Sequence, residues 1–248
     1  MLQQIFYLFL IVVTLTTCKK KEERICWKGS GDIAQKIIYF DSTTTKGFAI
    51  YDGLNIRLIK DSVSYLEITS YKNLIHHIKV KKEDSLLALS DENKCNFLRQ
   101  YEKQTQIDVH YTSLSVLNLK GKGTIETTSP ISSEILHIYA NTCNSTVNLD
   151  VMANSLVVKT VNGTISGAIS GIAQSANIYH YGYSKLNFVD LKVNHLFLEN
   201  KSNSDVSVYA IQQLILDLKS IGTIYYKGNP NIIITNNKRN SKVIAITP

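Results

Sequence analysis

No segment of this 248-residue chain carries a sustained helical period, and only three prolines interrupt it. Apolar residues that recur every second position rather than every 3.6 leave an all-β reading. The four cysteines include no Cys-x-x-Cys pair, which removes the usual structural zinc site. A glycine-rich phosphate loop and a nucleophile motif are missing too. His76 and His77 sit side by side on an expected strand, so their rings point to opposite faces and make a poor metal pair. Neither a metal nor a cofactor is therefore expected.

The apolar stretch from Ile5 to Leu15 is broken only by Thr14 and is too short to span a bilayer. It has the length of a signal-peptide core and ends in Leu15-Thr16-Thr17-Cys18. That ending resembles a bacterial lipobox, in which the cysteine becomes the lipidated N-terminus, although Met1-Leu2-Gln3-Gln4 lacks the usual basic residue. The resemblance implies a signal peptide over 1–17, acyl chains such as palmitate on Cys18, and a tether over 18–30. Lys19 after the cysteine favours the outer membrane by analogy, and Lys21-Glu22-Glu23 resembles a surface-export tag. The expected location is the outer membrane, lipid-anchored, at the cell surface.

Net charge is +7, with 16 Lys and Arg against 13 Asp and Glu in residues 1–113 and 11 against 7 thereafter. So even a spread does not make the basic stripe of a nucleic-acid protein, and none is expected as a partner. With Cys18 acylated, Cys26, Cys95 and Cys143 remain, so at most one internal disulfide forms. Cys26–Cys95 is the better pair, because it clips the N-terminal segment to a loop after the strand containing Leu87 and Leu89. Cys143 lies in a repeat turn and reads as a small residue of no special reactivity.

Residues 31–113 hold short strand-like pieces at 48–51, 54–59, 65–69, 75–80 and 85–89, separated by turn signals. Residues 114–248 repeat instead. A short polar turn followed by an aliphatic anchor recurs at Ile125, Val147, Ile165, Leu186, Val206, Ile224 and Val243. A period of about twenty with alternation inside it predicts a parallel β-helix with two strands per coil. The strand after each turn alternates apolar and polar residues, one face inward and one to water.

The strand before each turn is different. Its expected inward pairs are Leu117/Leu119, Ile138/Ala140, Leu156/Val158, Ile178/His180, Leu196/Leu198 and Leu214/Leu216. The residues between them, Asn118, Tyr139, Val157, Tyr179, Phe197 and Ile215, would form one outward column, apolar or aromatic at five of six places. Either residues 31–113 or another subunit cover that column, or it is an exposed binding strip. Tyr179, Tyr181 and Tyr183 alternate onto its face, with Gly182 between the last two. Three such rings suit a sugar or a protein partner; a covered aromatic ladder is the plainer alternative. Asp41-Ser42-Thr43, Asp61-Ser62-Val63 and Asp84-Ser85-Leu86 read as turns, or as glycosylation acceptors.

These features together resemble the head-GIN domain family of autotransporter adhesins, β-solenoid surface lipoproteins. The match rests on the turns Gly121-Lys122-Gly123, Asn162-Gly163-Thr164 and Ile221-Gly222-Thr223, and on Cys26-Trp27-Lys28-Gly29-Ser30-Gly31-Asp32, Cys95 and the strands Phe48-x-Ile50, Leu54-x-Ile56 and Leu66-x-Ile68. It spans roughly residues 26–248 and implies adhesion without a catalytic site.

A polysaccharide lyase or glycosidase, the rival reading, needs gathered carboxylates. Glu199 and Asp217 can stack in adjacent coils, but as a lone pair without a basic or aromatic frame they read as solvated charge. The sequence thus predicts a non-enzymatic binding or scaffolding module. Its site residues are Tyr139, Val157, Tyr179, Tyr181, Tyr183 and Phe197, and its partner is a glycan or surface protein. An envelope structural protein whose apolar column is a homo-oligomer contact is the third reading.

Overall fold

The computed structural model describes residues 29–51, 53–93, 105–141 and 143–246. Cys18, Cys26 and Cys95, and with them the signal peptide, most of the tether, the acylation and the disulfide, lie outside the described residues. Among the described residues seventeen strands form one hydrogen-bonded network wound into a solenoid. The repeats supply β8 (Val116–Leu119), β9 (Lys122–Thr127), β10 (Ile131–Ala140), β11 (Cys143–Thr160), β12 (Gly163–His180), β13 (Lys185–Asn200), β14 (Val206–Leu218), β15 (Ile224–Lys227), β16 (Asn231–Asn237) and β17 (Val243–Ala245). Pairing from coil to coil is parallel throughout these repeats.

Residues before 114 continue the same stack. The remaining strands are β1 (Ile33–Tyr39), β2 (Gly47–Ile50), β3 (Leu54–Lys60), β4 (Tyr65–Tyr71), β5 (Ile78–Glu83), β6 (Leu86–Asp91) and β7 (Thr105–Tyr111). In space the coil β2–β3 lies between β6–β7 and β8–β9, so chain order and stacking order differ. At that end β5 pairs antiparallel with β6, β4 with β7, and β1 with β4. These antiparallel strands close an edge that would otherwise invite further pairing, and β5 brings Lys79, Lys81 and Lys82 to it. Residues 31–113, one proposed cover for the outward face, extend the stack instead. Ile75–His77 forms a 3-10 turn rather than the start of a strand, so the two histidines do not alternate across a sheet.

The core is a set of side-chain columns. Leu117, Ile138, Val158, Ile178, Leu198 and Leu216 follow one another in register and are buried to 1% exposure or less. Each such side chain contributes about 1.5–3 kcal/mol against the entropy of ordering its coil. Ile56, Ile125, Val147, Gly167 and Leu186 run in register along the opposite wall. One anchor is therefore corrected: Ile165 pairs with Ser145, and Gly167 holds the anchor position. The sequence hides this because a glycine does not register as an apolar anchor.

Gly167 has a φ of +118°, and a Cβ built there would meet the Val147 carbonyl oxygen at 2.0 Å. Both the backbone region and the close approach require glycine. Gly167→Ala is expected to lower stability by about 1–3 kcal/mol, read as a reduced urea midpoint. An unchanged midpoint would mean that the coils do not approach so closely.

Candidate functional site

The register resolves the expected outward column into two. One contains Asn118, Tyr139, Lys159, Tyr179, Glu199 and Asp217; the other, two residues earlier on each strand, contains Val116, His137, Val157, Asn177, Phe197 and Ile215. Tyr139 and Tyr179 thus share a column with charged residues, while Val157 and Phe197 belong to its neighbour. The physical reason lies at the strand ends. Thr160 and Asn200 occupy inward positions and are buried, yet their polarity makes them read as turn residues. Thr160 Oγ1 donates to the Tyr181 carbonyl at 2.9 Å, and Asn200 Oδ1 accepts the Ser202 backbone N–H at 3.1 Å. Burial is tolerated because these bonds replace water. Between them in register lies His180, fully buried, with Nδ1 2.9 Å from Asn200 Oδ1 and Nε2 3.1 Å from the Ser184 carbonyl. Burial lowers its pKa against the hydrogen bonds that raise it, so it is a core residue as expected.

Aromatic side chains gather at the adjacent C-terminal ends of β12 and β13. Tyr179 meets Phe197 edge-on at 5.9 Å between ring centroids and Tyr181 at 6.3 Å. All three are half-buried. Tyr183 does not join them along one strand. The strand ends at His180, Gly182 turns the chain with a φ of +72°, and Tyr183 stands 73% exposed in the turn. Tyr139 stacks on His137 at 5.7 Å and is separated from Tyr179 by Lys159. Val157 is half-buried between His137 and Asn177.

Beside the rings lies an ion-pair network that the sequence reading set aside. Lys219 Nζ is 2.8 Å from Glu199 Oε1 and 2.9 Å from Asp217 Oδ2, and Lys201 Nζ is 2.9 Å from Glu199 Oε1. Lys201 also lies over the Tyr181 ring at 4.5 Å. Glu199 and Asp217 do stack in adjacent coils, and they have both the basic and the aromatic frame they were expected to lack. The missed signal was spacing: Lys219 is twenty residues after Glu199, one period of the repeat. Burial pushes the Glu199 carboxyl up, but hydrogen bonds from Lys219, Lys201 and Tyr181 outweigh it and hold its pKa at about 2. A carboxyl so acidic stays ionised near neutrality and cannot act there as a proton donor.

A concavity lies where β10, β11 and β12 run side by side. It is an open groove of about 460 Å³ lined by Ser132, Glu134, Met152, Asn154, Ile172 and Gln174, among others. Asn154 donates to Glu134 at 2.7 Å, and Asn194 to Gln174 at 2.7 Å, beside exposed Met152 and Ile172. Among the described residues no three His, Cys, Asp or Glu side chains are grouped to hold a metal ion. Asp41 Oδ1 accepts from the Thr43 N–H and Asp61 Oδ1 from the Ser62 N–H, both turn-forming bonds.

Residues 46–230 match the family model described as "Putative auto-transporter adhesin, head GIN domain". The chain belongs to the head-GIN domain family. Solved structures agree on the fold. A putative adhesin from Bacteroides fragilis NCTC 9343 is 18% identical, with a TM-score of 0.74 over 86% of this chain and 95% of that one. A putative lipid binding protein from Parabacteroides distasonis ATCC 8503 is 18% identical, with a TM-score of 0.61 over 88% and 98%. A putative adhesin from Parabacteroides merdae ATCC 43184 is 17% identical, with a TM-score of 0.54 over 88% and 98%. No curated protein sequence matches the chain.

Because the folded-state pKa of Glu199 lies below its unfolded value of 4.5, its stabilising contribution is full above about pH 4.5. That contribution is lost as the pH falls toward 2. Glu199→Gln should therefore flatten the fall in urea midpoint across this window. A variant with the wild-type slope would show that the network does not hold the carboxylate.

Proposed function

We propose that this head-GIN protein is a non-catalytic, adhesin-like binding module, anchored in the outer membrane by acyl chains on Cys18 and displayed at the cell surface. Its partner is a glycan or a surface protein. The observation that carries this reading is the aromatic patch of Tyr179, Tyr181 and Phe197, set against the lysine-carboxylate network of Glu199, Asp217, Lys201 and Lys219. Rings supply apolar faces for a sugar or a protein side chain, and the charged rim supplies hydrogen-bonding groups. A network of salt bridges and strand pairing fixes these groups before a ligand arrives, so little ordering entropy opposes binding.

The non-enzymatic reading draws support from Glu199. A glycosidase acid needs a raised pKa, and here two lysines drive it the other way. Tyr139 and Val157 belong to the same face further along the stack and extend the contact area rather than its centre. Tyr183, exposed in the turn after β12, would add contact area with a large partner.

A glycan and envelope-protein binding screen of the purified protein, repeated with Tyr179→Ala/Tyr181→Ala, tests the reading. Loss of the two rings should weaken a detected interaction by about tenfold or more, the scale of aromatic hot spots. Undiminished binding by the variant would remove the patch, and turnover of any polysaccharide would overturn the non-enzymatic assignment.

A further inference from the structure

Among the described residues four lysines lie over tyrosine rings. Lys60 is 5.8 Å from the Tyr111 centroid, Lys120 4.9 Å from Tyr51, Lys201 4.5 Å from Tyr181, and Lys227 5.5 Å from Tyr209. The surface thus repeatedly supplies its own cation to an aromatic face. Among the described residues the cluster on β1, β4 and β7 carries no such lysine, and neither does the His137–Tyr139 pair. At the capped end of the solenoid, Tyr39, Tyr65 and His110 stand side by side on β1, β4 and β7. The two tyrosine rings are 5.7 Å apart and tilted by 45°, and Tyr65 stacks on His110 at 4.0 Å and 10°. Tyr39 is 72% exposed. Among the described residues no lysine or arginine lies over Tyr39 or Tyr65.

The charge around these rings is acidic, although the chain as a whole is at +7. Asp61 holds His110 Nδ1 at 2.8 Å and keeps a third of its side chain exposed. Glu67 and Asp108 occupy the neighbouring column on the same face, where Arg57 pairs with Asp108 through two nitrogens. One guanidinium and the His110 imidazole thus stand against three carboxylates. Burial raises the pKa of the Tyr65 hydroxyl, and the Asp61, Glu67 and Asp108 carboxylates raise it further. Nearby cations are directed elsewhere: Lys60 donates to the Thr112 carbonyl over Tyr111, and Lys36 falls on the opposite parity of β1 from Tyr39.

We propose that the exposed Tyr39 ring, backed by Tyr65 and with Asp61 and Glu67 on the same face, forms a binding site for the ammonium group of a small organic ligand. A ring face attracts a cation through its quadrupole, and carboxylates beside it add to that attraction. Such a site is separate from the Tyr179 patch. There Lys201 already occupies the ring face, and the rim carries two lysines.

The test is calorimetric titration of the purified protein at pH 7 with choline and with glucosamine. The neutral counterparts 3,3-dimethylbutan-1-ol and glucose are titrated alongside. Saturable binding of either cation, at least about tenfold tighter than its neutral counterpart, supports the site. Choline binding assigns it to quaternary ammonium groups, and glucosamine binding to primary amines on a sugar. Tyr39→Phe should retain the affinity, whereas Tyr39→Leu, apolar but without a ring, should lose about two- to five-fold, the scale of an exposed contact. Tyr179→Ala/Tyr181→Ala should leave it unchanged, which separates this site from the adhesive patch. The proposal is overturned if neither cation binds, if neutral counterparts bind equally, or if Tyr39→Leu binds as the wild type does.

Discussion

Parallel hydrogen bonding from coil to coil, in fixed register, is the constraint on which the rest of this molecule depends. A parallel pair places equivalent residues of successive coils about 4.8 Å apart, so each position in the repeat becomes a column. Inside, those columns are leucine, isoleucine and valine, and they exclude water only when neighbouring coils are in step. Outside, the same register makes neighbours of residues that are about twenty positions apart in the chain. Glu199 with Lys219, Thr160 with Tyr181, and Asn154 with Glu134 are all such contacts. No local motif encodes them. They follow from the length of a coil.

Much of the architecture was legible for that reason. The spacing of anchors revealed the period, and alternation within each coil revealed which side chains enter the core. Ile125, Val147, Leu186, Val206 and Ile224 all proved buried. The finer register was not legible where chemistry and position disagree. Gly167 fills an anchor site without a side chain, so Ile165 took its place in the reading. Thr160 and Asn200 are polar residues inside the core, so strands seemed to end two residues early and Val157 slid into line with Tyr139. The stacking order of the first coils had no sequence signal either. Nothing local in residues 47–60 shows that they lie between β7 and β9.

The site shows the same division. Tyr179, Tyr181 and Phe197 were identifiable as an aromatic group from alternation and phase. Their charged surroundings were not, because Lys201 and Lys219 sit in what reads as ordinary solvated turn sequence. The Tyr39–Tyr65–His110 cluster escaped notice for a different reason. Its members come from antiparallel strands outside the repeat, so no period relates them. Both clusters pair aromatic rings with charge, but with a different balance. Two lysines offset two carboxylates at the first, and carboxylates are in excess at the second.

Cysteine cross-linking reads the register of the outward columns. In a background without the native cysteines, Val157→Cys with Asn177→Cys places the two thiols on directly paired positions. Val157→Cys with Tyr179→Cys sets them on a diagonal roughly 8 Å apart between Cα atoms, beyond the span of a disulfide. Rapid oxidation of the first pair and none of the second is the result this account predicts. A disulfide that forms in the second pair and not in the first would restore the single apolar column and contradict the structure described here.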